Sequence, residues 1–473
     1  MTWREGIIAC LAIAMSASGQ ISSPADKLQA GAEFLRHGRY ADAENQLQTA
    51  LAACEPSQCP ELPAILNGLG GLYYELGRYR DAEPLLLRAV ELLKRPESDN
   101  RLLAAALGNL AAVYRVRGRF AEAKPLYEEA RSLQAGDRGS DLESSGLLAR
   151  LALLAQDMGD LAGAAELIQR ALTGLAREDA EETLEGARTL ATWAAILESQ
   201  GNPQQAEEQL KRALAIRERI SGPNDISVGD ALNTLGVGYS HRNRWADAEW
   251  ALRRSVAILR MYPPSPALAA AMNNLGSVLR ARGRGKEAED SIRQAIATWE
   301  LLLGQNHPNV AAGLTNLAVS LEARGRYADA AAFLDRARGI DERNFPGNHP
   351  RIGIDLSRAG SLAKSRKRYS EAETLLRRSD QILEGSLPST DQEIGAVLLN
   401  LADVFLLQKK LDRAGEMYKR GLTIVTAAWG PDDPRLAPWL DGYVSVLRAQ
   451  MEFAEAAKLE IQATRIRIRQ LDR

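Results

Sequence analysis

Gly38-Arg39-Tyr40-Ala41-Asp42-Ala43-Glu44 returns almost unchanged as Gly77-Arg78-Tyr79-Arg80-Asp81-Ala82-Glu83, and again as Gly118-Arg119-Phe120-Ala121-Glu122-Ala123. Looser copies begin at Gly159, Gly201, Asn243, Gly283, Gly325, Lys367, Lys409 and Met451, so the anchor recurs every 39 to 42 residues. Self-similarity at a fixed period of this size marks one supersecondary unit stacked many times. A chain of 473 residues would otherwise be read as about three domains. The eleven copies replace that reading with one array over residues 24–473.

Two stripes surround each anchor. The fifth residue after it is alanine in every copy, from Ala43 and Ala82 to Ala456. The twelfth after is always small, from Ala50 to Ala463, with Ser255, Ser379 and Gly421 as variants. A small residue at a fixed place means that two helices approach too closely there for a longer side chain. Before the anchor, the eleventh and eighth places are apolar, as in Leu66 and Leu69, Leu232 and Leu235, Leu398 and Leu401. The seventh before is Gly or Ala in nine of the ten copies from the second onward. Offsets of three and four put these residues on one helical face. The unit therefore reads as helix A, a tight turn at the anchor, and helix B. One hairpin cannot bury its own apolar stripe, so neighbours must stack. An aromatic content of 5% agrees with an all-α fold rather than strands. At the ends the pattern turns polar, with Lys27 at the eleventh-before place and Glu460 at the ninth-after place, as terminal hairpins with one face in water require.

The small residues at these three places resemble the tetratricopeptide repeat, and the longer period resembles its kinesin light chain-type branch. Leu303-Gly304-Gln305-Asn306-His307-Pro308-Asn309-Val310-Ala311 and Gly347-Asn348-His349-Pro350 are similar to that branch's Leu-Gly-x-x-His-Pro-x-Val-Ala linker. Asn273-Asn274-Leu275 and Asn316-Leu317 are similar to its helix A. The resemblance implies a right-handed α-α superhelix, a TPR solenoid of about eleven helical hairpins, with helix A lining the concave surface. It also implies a non-enzymatic scaffold that binds a peptide or protein segment in that groove. The free stripe of helix A falls thirteen, ten, six and three residues before the anchor, again one face. It carries Asn67, Asn233 and Asn273 at the tenth place, and Arg115, Arg280, Glu322 and Lys364 at the third. Related repeats hold an extended peptide with asparagines and cations on this stripe. An asparagine amide suits that work because it both donates and accepts hydrogen bonds. The block from Asn233 to Arg280 is the first place to look. A receptor for a small ligand or signalling peptide, whose binding changes the shape of the superhelix, is the alternative.

Other function classes find little support. The formal net charge is −2, without the basic surface that displaces counterions from a nucleic acid. No Gly-rich phosphate loop, His-Glu-x-x-His or Gly-x-Ser-x-Gly occurs, so no catalytic residue, cofactor or metal is expected, and a hydrolase or transferase is disfavoured. His307 and His349 invite a metal reading, but Pro266, Pro308, Pro350 and Pro434 share their register and follow Ser265, His307, His349 and Asp433. Proline suits a first helical turn and Ser or Asp the residue before it, so the histidines read as helix starts. The recurring carboxylates read as solvent-facing partners of basic neighbours.

Ile7 to Ala17 is an apolar run of eleven residues, too short to cross a bilayer, followed by the small residues Ser16 to Gly19. Residues 1–19 read as a secretory signal peptide, with export to a periplasm or the cell exterior, and a cytoplasmic protein as the alternative. No other segment is long and apolar enough for stable membrane insertion. Export would permit a disulfide between Cys54 and Cys59 across Glu55-Pro56-Ser57-Gln58, whereas the cytosol would keep both as thiols. The bond requires Cα atoms closer than about 7 Å.

Overall fold

A computed structural model describes residues 23–36, 39–57, 59–95, 99–136 and 141–471. The expected signal peptide, residues 1–19, and the first anchor, Gly38, lie outside the described residues. The described residues form 22 α-helices and one 3₁₀ turn, with no strand among them. The helices pair into eleven hairpins. Helices A and B are Pro24–Arg36 and Tyr40–Cys54 in hairpin 1, Leu62–Glu75 and Tyr79–Leu93 in 2, Asn100–Val116 and Phe120–Gly136 in 3, and Asp141–Asp157 and Leu161–Arg177 in 4. They are Leu184–Ser199 and Pro203–Ser221 in 5, Ile226–His241 and Trp245–Leu259 in 6, Pro266–Ala281 and Gly285–Leu303 in 7, and Pro308–Glu322 and Tyr327–Asn344 in 8. They are Pro350–Ser365 and Tyr369–Ser386 in 9, Gln392–Leu407 and Leu411–Trp429 in 10, and Ala437–Ala449 and Phe453–Leu471 in 11. The chain divides into two compact units, one up to Gly313 and one from Leu314.

The anchor sets where helix A stops. All ten described anchors have positive φ, from 57° at Asn243 to 80° at Gly159. The residue after each anchor donates its N–H to the carbonyl five residues earlier, as Arg78 does to Tyr73 at 2.7 Å and Lys410 to Phe405 at 2.8 Å. This is the left-handed helix stop that satisfies two of the orphaned terminal carbonyls. Glycine reaches φ > 0 without strain, which explains its frequency there.

The small residues act as the spacing predicts. The alanines at the fifth-after place are fully buried, among them Ala82, Ala164, Ala288 and Ala414. A Cβ placed on Gly276 would stand 2.5 Å from Ile292 Cγ1, so the seventh-before glycine seats the ninth-after side chain of helix B. Where a serine replaces alanine at the twelfth-after place, its hydroxyl is satisfied: Ser255 Oγ donates to the Gly229 carbonyl at 2.7 Å, and Ser379 Oγ to that of Gly353 at 2.7 Å. Within each unit, helices A of successive hairpins also touch one another directly, which makes them a continuous wall.

Candidate functional site

The wall of helices A is where sequence places the binding residues, and every one of them has a position in the structure. Asn67 is buried, 2% exposed, and its Oδ1 accepts Asn109 Nδ2 at 2.8 Å. Half-buried Asn233 accepts Asn274 Nδ2 at 2.9 Å, and Asn273 beside it is 6% exposed. Arg115 pairs with Asp157 at 2.7 Å. Burial pushes the Asp157 carboxyl above the usual range, with Arg115 pulling the other way. Glu322 accepts the Ser365 hydroxyl at 2.6 Å, while Lys364 donates to Asp403 at 2.6 Å and Asn400 at 2.9 Å. Arg280 is half-buried on the same wall.

These contacts form a ladder. The third-before residue of one hairpin meets the second-before residue of the next in Arg115–Asp157, Gln156–Ser199, Glu198–His241 and Glu322–Ser365. The tenth-before asparagine meets the ninth-before asparagine of the next hairpin in Asn67–Asn109 and Asn233–Asn274. The stripe that looks free in sequence therefore ties neighbouring hairpins together. An asparagine pair still keeps capacity for a ligand, because each amide has two donors and two acceptor lone pairs. Sequence reading missed the partners Asn109, Asp157, Ser199, His241, Asn274 and Ser365. The signal was available as complementary polar types at places three and two before successive anchors.

A second ladder runs along the other side of the turn. The arginine after the anchor bonds the acid three residues on, as Arg78 does with Asp81 at 2.8 Å and Arg284 with Glu287. It also reaches the sixth-after glutamate of the preceding hairpin, in Arg78–Glu44 at 2.7 Å, Arg244–Glu207 at 2.8 Å and Arg284–Glu249 at 2.6 Å. Its guanidinium covers the aromatic ring four residues before the anchor, 3.9 Å from the Tyr73 centroid and 4.0 Å from that of Tyr114.

The expectation that carboxylates face solvent fails at Glu249, Glu289, Asp341 and Asp355, which are all buried. Glu249 collects Arg253 at 2.7 Å with Arg282 and Arg284 at 2.6 Å, and Asp341 pairs with Arg351 at 3.0 Å. A charge is buried only where partners compensate its lost hydration, as the arginines do for Glu249 and Asp341, whereas Asp355 faces the Asp341 carboxyl and is pushed toward its protonated form.

The histidines start helices. His307 Nδ1 accepts the Asn309 N–H at 3.0 Å and His349 Nδ1 that of Arg351 at 3.2 Å. Ser265 Oγ and Asp433 Oδ1 do the same for Leu268 and Arg435. Cys54 is fully buried and its Cα lies 5.1 Å from that of Cys59, within the reach that a disulfide requires. Glu61 brings a carboxylate oxygen within 4.8 Å of both sulfurs, and a Cys54–Cys59 disulfide would leave no thiolate there for a metal. Two cavities of about 300 and 240 Å³ lie away from the asparagine ladder, between helices B of hairpins 6 and 7 (floored by Val256, Met272 and Leu275) and of hairpins 3 and 4. No helix among the described residues is long and apolar enough to cross a membrane.

Antiparallel helix pairs with a left-handed stop, a small-residue seam and an edge-to-edge ladder define a helical-repeat protein. The tetratricopeptide repeat profile matches residues 28–95, 61–136, 185–261 and 267–343, together more than half of the chain, and the chain belongs to that family. Solved structures with similarity include BtubC (BKLC) from P. vanneervenii, 26% identical over 48% of this chain and 92% of that one, with a TM-score of 0.40. A kinesin light chain-like protein of Podosopora anserina with nearly identical TPR-like repeats is 21% identical over 44% of this chain and 100% of that one, with a TM-score of 0.36. A Rap protein complexed with Competence and Sporulation Factor covers 78% of this chain and 99% of its own at 16% identity, with a TM-score of 0.53, a likeness of fold. No match is found among curated proteins.

Proposed function

We propose that the chain is a non-enzymatic scaffold that holds an extended segment of a protein partner against the wall of helices A. The observation that carries this reading is the asparagine-rich stretch of that wall from Asn233 to Arg280, where the amides of Asn233 and Asn274 pair across hairpins 6 and 7 and keep hydrogen-bonding capacity. Family membership supports it, since tetratricopeptide repeats serve as protein-binding scaffolds. Capture of partners by residues 21–473 tests it, with Asn233→Ala/Asn273→Ala/Arg280→Ala as the variant. Partner recovery is expected to fall at least about tenfold, roughly 1.4 kcal/mol, with the melting profile recorded because Asn273 is buried. Unchanged recovery from a folded variant moves the site off this wall.

A second reading is a receptor for a small ligand or signalling peptide that changes the shape of the array. The Rap protein of similar fold was solved with Competence and Sporulation Factor bound, which favours a peptide of that kind as the first probe. We further propose that residues 1–19 direct export and that Cys54–Cys59 is oxidised in the mature protein. The mature N-terminus and the non-reduced peptide spanning both cysteines decide these two points by mass spectrometry. An intact residue 1, or free thiols at both positions, would sink the respective proposal.

A further inference from the structure

Stacked hairpins touch their sequence neighbours, and contacts elsewhere are not required by the architecture. The first unit contains such a contact. His307 stands at the start of hairpin 8, and Glu75 ends helix A of hairpin 2, 232 residues earlier. His307 Nε2 lies 3.1 Å from the Glu75 carbonyl oxygen. Nδ1 of the same ring accepts the Asn309 N–H at 3.0 Å, so in the neutral ring the proton sits on Nε2 and is donated to that carbonyl. Pro308 closes on the turn beside it: a Cβ placed on Gly77 would stand 2.5 Å from Pro308 Cδ and 2.8 Å from His307 Cδ2. Gly77, His307 and Pro308 are all buried.

We propose that this contact is a clasp that closes the run from hairpin 2 to the start of hairpin 8 into a circuit, and that its parting opens the circuit without unfolding either side. Each side is complete alone. Gly77 and Arg78 donate their N–H groups to Tyr74 and Tyr73 whether or not His307 is near. The Glu75 carbonyl belongs to the last turn of a helix, where water can take the place of a lost partner. His307 keeps its own helix cap through Nδ1. Neighbouring hairpins share whole helix faces, whereas the clasp meets only across the start of one hairpin and the turn of another, and on this proposal it is the joint that gives way first. The proposal deepens the second reading above, the receptor that changes shape. Its test needs no ligand, so its failure leaves the peptide-scaffold reading standing.

The test compares two variants of the full chain with two controls. His307→Asn retains an N-cap acceptor but loses the reach to Glu75. Gly77→Ala drives a wedge under Pro308. Gly283→Ala is the backbone control, because Gly283 has φ +77° against +66° at Gly77 but nothing within 4 Å of its added Cβ. His349→Asn is the cap control, because His349 has the same capping role at hairpin 9. Amide exchange at residues 73–80 and 304–312 should accelerate about tenfold or more in both clasp variants, with helix content by circular dichroism unchanged. Both controls should stay at wild-type exchange in those two segments. Clasp variants that match their controls in exchange overturn the proposal, as does loss of helix content in His307→Asn.

Discussion

At the scale of single residues, the anchor shows how backbone conformation can be read from register alone. Lys367, Lys409 and Met451 are not glycine, yet each occupies the glycine register and each has positive φ, 61°, 63° and 64°. An L-residue in this region costs roughly 1–2 kcal/mol, partly offset by the extra unfolded-state entropy of glycine, roughly 0.5–1 kcal/mol. Lys367→Gly and Lys409→Gly should therefore each stabilise the second unit by about 0.5 kcal/mol, seen as a higher midpoint in thermal unfolding. Asn243→Gly should gain less, because asparagine tolerates the left-handed region. A fall in midpoint for Lys367→Gly would mean that the exposed lysine side chain contributes more than its strain costs. Position was legible here because every copy uses the same stop. What His307 touches was not legible. That contact depends on the rotation summed over five intervening hairpins, and no local spacing records it.

At the scale of elements, the ladders explain why the motif Gly-Arg-Tyr-Ala-Asp-Ala-Glu keeps its charges. The arginine serves its own helix through the fourth-after acid, the ring behind it, and the previous hairpin through that hairpin's sixth-after glutamate. Glu249 is the most crowded case, with Arg253, Arg282 and Arg284 around one buried carboxylate. Burial alone would raise the Glu249 carboxyl, but the three arginines hold it below the usual range. Glu249→Ala leaves cations without their shared partner and is expected to cost about 1–2 kcal/mol, a figure reduced for the partial exposure of the arginines. Glu287→Ala removes an exposed partner of Arg284, which solvent screens, and should cost much less. Urea denaturation of the two variants side by side checks the ratio, and equal losses would show that the convergence on Glu249 adds nothing. Hairpin pairing and the small-residue seam were readable in the sequence, since each copy repeats them. The candidate binding residues lie on helices A, and Asn67, Arg115, Asn233, Glu322 and Lys364 are engaged with the next hairpin. A stripe in one helix does not reveal what the neighbouring helix brings against it.

At the scale of the whole molecule, hairpins 5 to 7 and the second unit should respond to pH in opposite directions. In the first, Glu207 and Glu249 are held below the carboxylate range by arginines that outweigh burial. Stability from such groups is present above their ordinary pKa and is lost as pH falls through the folded value. In the second unit Lys410 and Arg377 likewise lower Glu373 against its burial, but four carboxyls are pushed the other way. Burial, reinforced by the Asp341 charge, pushes Asp355 up to about 7, and burial with Glu384 nearby pushes Asp380 up to about 6. Burial raises Asp341 and Glu393 as well. Between the ordinary value near 3.8 and these folded values the native chain holds protons that the unfolded chain has released. Stability is then full below about pH 4 and declines as pH rises toward 7. Long repeat arrays need not unfold in one step, so this loss can stay within the second unit. Amide exchange, corrected for its intrinsic pH dependence, should show residues 314–471 losing protection from pH 4.5 to 8 while hairpins 5 to 7 hold or gain. Asp355→Asn cannot ionise and keeps polar atoms opposite Asp341, so it should flatten most of that decline and raise protection at pH 8 above wild type. A wild-type second unit whose protection does not change across this range would show that Arg351, which pairs with Asp341, already compensates the whole acidic cluster.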